Sequence, residues 1–206
     1  MVRQSVKQRI IETALDLFQE NGYHGVSVDE IVETAGTSKG GFYHNFKAKD
    51  ALLYEIHDVF ISYVLKETKV AYEQYETPID KVCAMLYAFT NVFHLYKRHI
   101  TVFYDESAYL PAHYKTVIKE KRTEYRKLIE RVIEDGKASG HFRESTSTTI
   151  TTMAIIGLVN WTYKWYWQNG CLTMEQITLY FNDIILRGIV TEKGYEEAFA
   201  KKHLLE

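Results

Sequence analysis

Cysteine and proline are nearly missing from this 206-residue chain, which has only Cys83, Cys171, Pro78 and Pro111. Two cysteines cannot build a disulfide framework or a four-ligand structural zinc site, and both lie in apolar helical patterns, so they are expected as reduced, buried thiols. Also missing is any run approaching the ~20 apolar residues that cross a bilayer. The charged opening Met-Val-Arg-Gln-Ser-Val-Lys-Gln-Arg, followed by Glu12 and Asp16, leaves no stretch for a signal peptide, and the expected location is the cytoplasm. Neither sign of charge dominates: 25 Lys and Arg against 27 Asp and Glu leave a net −2. Any contact with nucleic acid therefore has to come from a local basic surface. What the chain does have is 46% hydrophobic and 14% aromatic residues, enough for a sizeable core without metal or disulfide.

Apolar positions recur at three- and four-residue spacing almost throughout, and sustained period-two alternation is absent, which predicts an all-α fold. Ile10, Ala14, Leu17 and Phe18 stripe a first helix that Asn21-Gly22 stops. Ser27-Val28-Asp29-Glu30 is a capping box opening a short second helix that ends at Ala35-Gly36. Ser38 caps a third helix, about 39–45, after a three-residue gap that suits a helix-turn-helix. A longer helix from Lys49 carries Leu52, Leu53, Ile56, Val59, Phe60 and Val64 before a polar stretch at 66–76. Thr77 and Pro78 restart the chain as N-cap and first helical residue. Pro111 opens a further helix running to Ser139-Gly140, and another runs from 145–152 through Trp165. The capping box Thr173-Met174-Glu175-Gln176 starts the last of the strongly patterned helices. The final dozen residues, charged, are expected to fray, and the Asp105-Glu106 pair is expected to face solvent.

Residues 37–49 hold three lysines and no acid in a chain that is otherwise slightly acidic. In a helix-turn-helix the second of the two helices enters the major groove, placing Ser38, Lys39, Gly40 and Gly41 at base edges with Tyr43 and His44 beside them. Two adjacent glycines each cost about 1 kcal/mol of helix stability relative to alanine, so clearance outweighs propensity there. Phe42 and Phe46, four apart, are expected to anchor this helix on Phe18 and Ile31. Lys47 and Lys49 flank the start of the fourth helix, where they suit backbone phosphates. Three lysines alone also fit a solvated turn.

The whole arrangement resembles the tetracycline-repressor (TetR) family of bacterial transcription regulators. It is similar to that family in Gly22-Tyr23 after the first helix, in Ser27 opening the second, and in Ser38-Lys39-Gly40 followed by Tyr43, Phe46 and Lys49. Gly41 stands where the family often carries a threonine. The resemblance implies an N-terminal three-helix DNA-binding domain, taken as residues 1–48 with Ser27 among its contacts, and a larger ligand-binding and dimerisation domain, 49–206. It implies a homodimer on a palindromic double-stranded operator, released by a hydrophobic small-molecule inducer. The last two patterned helices would dimerise through Gly157, Ile177, Phe181, Ile184, Ile185 and Gly188, although periodicity alone fits an intramolecular core face equally.

Aromatic residues concentrate beyond residue 85, where most are expected to be core. An apolar pocket between the helices could draw on Phe89, Phe93, Tyr96, Phe103 and Tyr104, with Arg122, Tyr125, Trp161, Lys164 and Trp165 completing it. The segment Asn160-Trp161-Thr162-Tyr163-Lys164-Trp165-Tyr166 resembles one found in TetR-family regulators that respond to acyl-coenzyme A thioesters. For such a ligand the candidate phosphate contacts are Lys97, Arg98, Arg122, Arg126 and Lys164, the last standing where that subgroup often has arginine. A broad aromatic pocket for multiple drugs is the rival within the class; a helical lipid carrier or enzyme is the rival outside it. Trp161 and Trp165 could also simply fill a core. His94 and His99, five apart, are misplaced for joint metal ligation, so no metal or cofactor is expected. No nucleophile motif or phosphate loop appears, and no catalytic residue is assigned.

Overall fold

The computed structural model describes residues 4–167 and 170–205. Its elements are α1 (Val6–Gly25), α2 (Val28–Thr34), α3 (Lys39–Asn45), α4 (Lys49–Gln74), α5 (Pro78–Glu106), a 3₁₀ turn (Ser107–Tyr109), α6 (Ala112–Ala138), α7 (Thr148–Asn160), α8 (Thr162–Trp165), α9 (Met174–Ile189) and α10 (Glu192–Ala200). Among the described residues the only β-pairing is an isolated bridge between Phe142 and Val190. The chain forms two compact units, residues 1–61 with 96–119 and residues 62–95 with 120–206, so α4, α5 and α6 each contribute to both. The boundary expected at 48/49 follows the helix-turn-helix alone, whereas the compact first unit also takes in the start of α4 and the segment 96–119.

In the first unit α1, α2 and α3 pack on one another around Ile10, Ala14, Phe18, Ile31 and Phe42, all almost wholly buried. Local chemistry sets their ends. Ser5, Ser27 and Ser38 each accept the amide of the residue three further on, relieving an orphan donor of the first turn. Only the serine half of the box expected at Ser27 forms. Gly22 breaks α1 at φ +70°, a left-handed conformation that a side chain disfavours. Tyr23 can thereby turn inward, where it is buried.

The second unit is built on Ile79, Val82, Met85 and Leu86 of α5, Ile129, Val132 and Ile133 of α6, Ile155 of α7 and Ile177 and Leu186 of α9. The α9 capping box forms as expected, with Thr173 and Gln176 satisfying each other's backbone amides. α4 continues through its polar stretch because Leu65, Thr68 and Ala71 still face inward. α5 is interrupted at Tyr96 (φ −130°, ψ 26°).

Three expectations need correction. The C-terminal residues do not fray: α10 forms, Ala198 and Leu204 are buried, and Lys201 and His203 both bond to Asp80. The Leu205 amide is held by Asp183 at 3.0 Å. Apolar anchors between the charges made this helix amphipathic. Cys171 is exposed, unlike Cys83, because it falls in the turn before the Thr173 cap and outside any helix. Glu106 is buried, with a carboxylate oxygen 3.6 Å from where a Cβ on Gly22 would lie, while Asp105 is exposed.

Candidate nucleic-acid interface

The reading helix is fixed from one side and bare on the other. Phe42 and Phe46 are buried with ring centroids 5.6 Å apart, so by helical spacing Lys39, Gly40, Tyr43 and His44 face outward, and all four are exposed. Tyr43 packs edge-on against Phe42, which braces its ring while leaving it 55% exposed. Ser38 lies at the tip of this face, its hydroxyl accepting the Gly41 amide at 3.1 Å. Gly41 has a steric reason: a Cβ there would come within 2.6 Å of the Thr37 hydroxyl. Gly40 meets nothing closer than 3.6 Å, so its bareness is open clearance.

The three lysines differ in their partners. Lys39 pairs with Asp29 of α2 at 2.8 Å, and that hydrogen bond and charge raise its pKa. Lys47 is exposed. Lys49 is half-buried and donates to the carbonyls of Tyr23 at 2.8 Å and Val26 at 2.6 Å, with its ammonium 4.2 Å from the Tyr23 ring centroid. Burial lowers its pKa, and the Asp50 charge opposes this. Tyr23 in turn donates to Asp50, and burial, reinforced by that carboxylate, pushes the Tyr23 hydroxyl well above its usual range. Lys49, Tyr23 and Asp50 thus bolt the α1–α2 turn to the start of α4. Ser27 uses its hydroxyl oxygen as the α2 cap and remains exposed.

Two features of this unit escaped the sequence reading. The Arg98 guanidinium grips Glu12 and Asp16 of α1 and also donates to the Glu12 carbonyl at 3.1 Å. It is therefore engaged with the head, whereas the sequence suggested it for a ligand phosphate. Tyr109 stacks on Tyr23 at 6.0 Å and meets His24 edge-on at 4.2 Å. The Arg98 contact had only opposite charge at distant positions as a sequence signal, which does not choose a partner, and the Tyr109 contact had none.

The expected sensor residues divide by burial. Phe89, Phe93, Phe103 and Tyr125 are buried, Tyr96, Tyr104 and Arg122 are intermediate, and Trp161, Lys164 and Trp165 are exposed. Within the second unit Phe89 meets Tyr125 edge-on at 5.4 Å. Trp165 lies 6.5 Å from Phe181, whereas Trp161 is 62% exposed and fills no core. In the first unit Phe103 packs against His57 and Phe60. Of the dimerisation set, Ile177, Phe181 and Ile185 are buried in the chain's own core, because they share the inward stripe of α9. Ile184 is 58% exposed, and Gly157 and Gly188 open onto empty space.

A trihelical head that offers a cationic, side-chain-poor helix face defines a helix-turn-helix DNA-binding protein. The profile described as "Bacterial regulatory proteins, tetR family" matches residues 10–56, and "Tetracyclin repressor-like, C-terminal domain" matches residues 75–189. The chain belongs to the TetR family of transcriptional regulators, which are not enzymes. It is similar to the HTH-type transcriptional repressor KstR2 of Mycolicibacterium smegmatis, 23% identical over 94% of this chain and 95% of that one. Its fold matches the ketosteroid transcriptional regulator KstR2 of Mycobacterium tuberculosis with TM-score 0.82 and 22% identity, covering 92% and 97% of the two chains. It also matches the structure of AibR in complex with isovaleryl coenzyme A and operator DNA, with TM-score 0.72 and 23% identity, covering 85% of this chain and 95% of that one. Among the described residues no helix is long and apolar enough to cross a membrane.

Proposed function

We propose that the protein is a cytoplasmic repressor that binds a pseudo-palindromic operator as a homodimer and is released by a hydrophobic inducer of the acyl-coenzyme A type. The observation carrying this reading is the outward face of α3, where Lys39, Gly40, Tyr43 and His44 stand clear of the Phe42–Phe46 anchor. In it, Ser38, Lys39, Gly40 and Gly41 meet base edges with Tyr43 and His44, and Ser27, Lys47 and the third donor of Lys49 meet phosphates. Two such helices spaced by about 34 Å read half-sites that one short helix would hold weakly. For the pairing, Ile150, Met153 and Ile184 leave an exposed apolar face on α7 and α9, while Gly157 and Gly188 allow close approach. The inducer class draws on the likeness to AibR, whose structure holds isovaleryl coenzyme A, and on the exposed Trp161 and Lys164.

A ligand releases the operator only by its preference for the DNA-incompetent state, commonly about 1–3 kcal/mol, and operator must weaken the ligand equally. The test is footprinting upstream of the protein's own gene, followed by titration of isovaleryl and palmitoyl coenzyme A with and without the protected duplex. A two-fold symmetric footprint that either thioester weakens is the expected outcome. Equal thioester affinity with and without saturating duplex overturns the coupling, and absence of any protection at low salt overturns the reading as a whole.

A further inference from the structure

The second unit contains a cleft of about 410 Å³, and Cys83 of α5, Asn182 of α9 and His203 near the end of the chain are among the residues that line it. The chain reaches this place by an uncommon turn. Just after α10, Lys202 takes a left-handed conformation (φ +59°), the only non-glycine residue to do so among those described. Glycine usually holds such a position, because a Cβ crowds it. The turn sends the next three residues across two helices. On one side His203 meets Asp80 of α5 at 2.9 Å. On the other, the Leu205 amide donates to Asp183 at 3.0 Å and its carbonyl accepts from Arg187 at 2.8 Å, both on α9. Leu204, between them, is buried. Residues 203–205 therefore bridge α5 and α9 beside two cleft residues, Cys83 one turn beyond Asp80 and Asn182 next to Asp183.

We propose that residues 202–205 are a strap, hinged at Lys202, that closes this end of the cleft and must lift before a small molecule reaches Cys83 or Asn182. Two features make the closed strap costly. The left-handed backbone at Lys202 is disfavoured only while the strap is down. The closed state also leaves the buried Asn182 carboxamide oxygen without a hydrogen-bond partner among the described residues, and water satisfies it on opening. The bonds at Asp80 and Asp183 and the burial of Leu204 oppose this and hold the strap. Lifting it is a local event that needs far less free energy than unfolding the unit. Cys83 reports on that event. Its thiol is buried, and burial pushes its pKa well above the ordinary range, so it reacts poorly until the strap lifts. Cys171 is exposed and reacts throughout.

The test is alkylation of the full chain by iodoacetamide at constant pH, followed at both cysteines by peptide mass spectrometry, with Cys171 as the internal reference. Cys83 is expected to react much more slowly than Cys171. In a chain ending at Lys201, and in the gentler variant His203→Ala, the Cys83 rate should rise, by about tenfold in the first, while the Cys171 rate stays the same. Lys202→Gly relieves the hinge and should slow Cys83 by about threefold. Circular dichroism and the urea midpoint establish that each variant folds, and urea below the unfolding transition should barely change the Cys83 rate. Cys83 reacting as fast as Cys171 in the full chain overturns the proposal, because the cleft is then already open. So does an unchanged Cys83 rate in folded His203→Ala and Lys202→Gly proteins, or a rate that climbs with urea as steeply as unfolding itself.

Discussion

Lys47 and Lys49 stand two residues apart at the end of the reading segment, yet their ammonium groups do different things. Lys49 holds two carbonyls in the α1–α2 turn, and Lys47 is exposed. Hydrogen bonds to charged donors contribute more than neutral ones, so Lys49→Ala is expected to cost about 2 kcal/mol in urea unfolding. Lys47→Ala should leave stability unchanged and flatten the dependence of operator affinity on salt by about one unit, in a logarithmic plot. If Lys49→Ala unfolds at the wild-type urea concentration, the bolt to Tyr23 and Val26 has no energetic weight. The exposed face of α3 was legible in the sequence because everything that makes it lies within ten residues. The Arg98 grip on Glu12, 86 positions away, was not, since separation along the chain carries no information about which acid an arginine meets.

Among the elements, starts and stops were readable where one side chain satisfies one nearby backbone group, as at Ser27, Ser38 and Thr173. The break at Tyr96, the inward Glu106 and the docking of α10 depend on packing partners elsewhere. That docking has a pH dependence. Burial opposes the Asp80 charge, but hydrogen bonds from Lys201, His203 and Thr77 outweigh it and hold the carboxyl below its ordinary range. A carboxylate with a depressed folded pKa contributes stability that is present above its unfolded value near 3.8 and lost as pH falls through the lower folded one. Asp80→Asn is therefore expected to loosen residues 201–205 at neutral pH as acid does in the native protein. Hydrogen exchange at the His203 and Leu205 amides checks this, and unchanged protection there would remove Asp80 as the clasp.

At the scale of the whole molecule, the proposed homodimer makes a prediction of its own. Three of the six residues that the family resemblance assigned to the interface are buried in the chain's own core, because an inward stripe and a contact stripe on one helix look alike until the neighbours are known. Ile184, exposed in the single chain, separates the two roles. Ile184→Glu should leave the circular dichroism and unfolding midpoint unchanged, since an exposed substitution seldom moves stability by more than about 0.5 kcal/mol. If the proposed homodimer forms through this face, the same protein sediments as a monomer and binds operator at least about a hundredfold more weakly, through loss of the second half-site. A dimeric Ile184→Glu protein would place the contact elsewhere.

The link between Lys39 and Asp29 bears on how the protein searches a chromosome. If α3 reads DNA as proposed, a lysine already paired within its own chain gains less from an arbitrary stretch of backbone, by up to about 1 kcal/mol for so exposed a pair, because a phosphate must displace a resident acid. Only a sequence that supplies base-edge acceptors as well compensates for the exchange. On the proposed reading the head would linger less on the vast excess of unrelated DNA, at the expense of some grip on the right one.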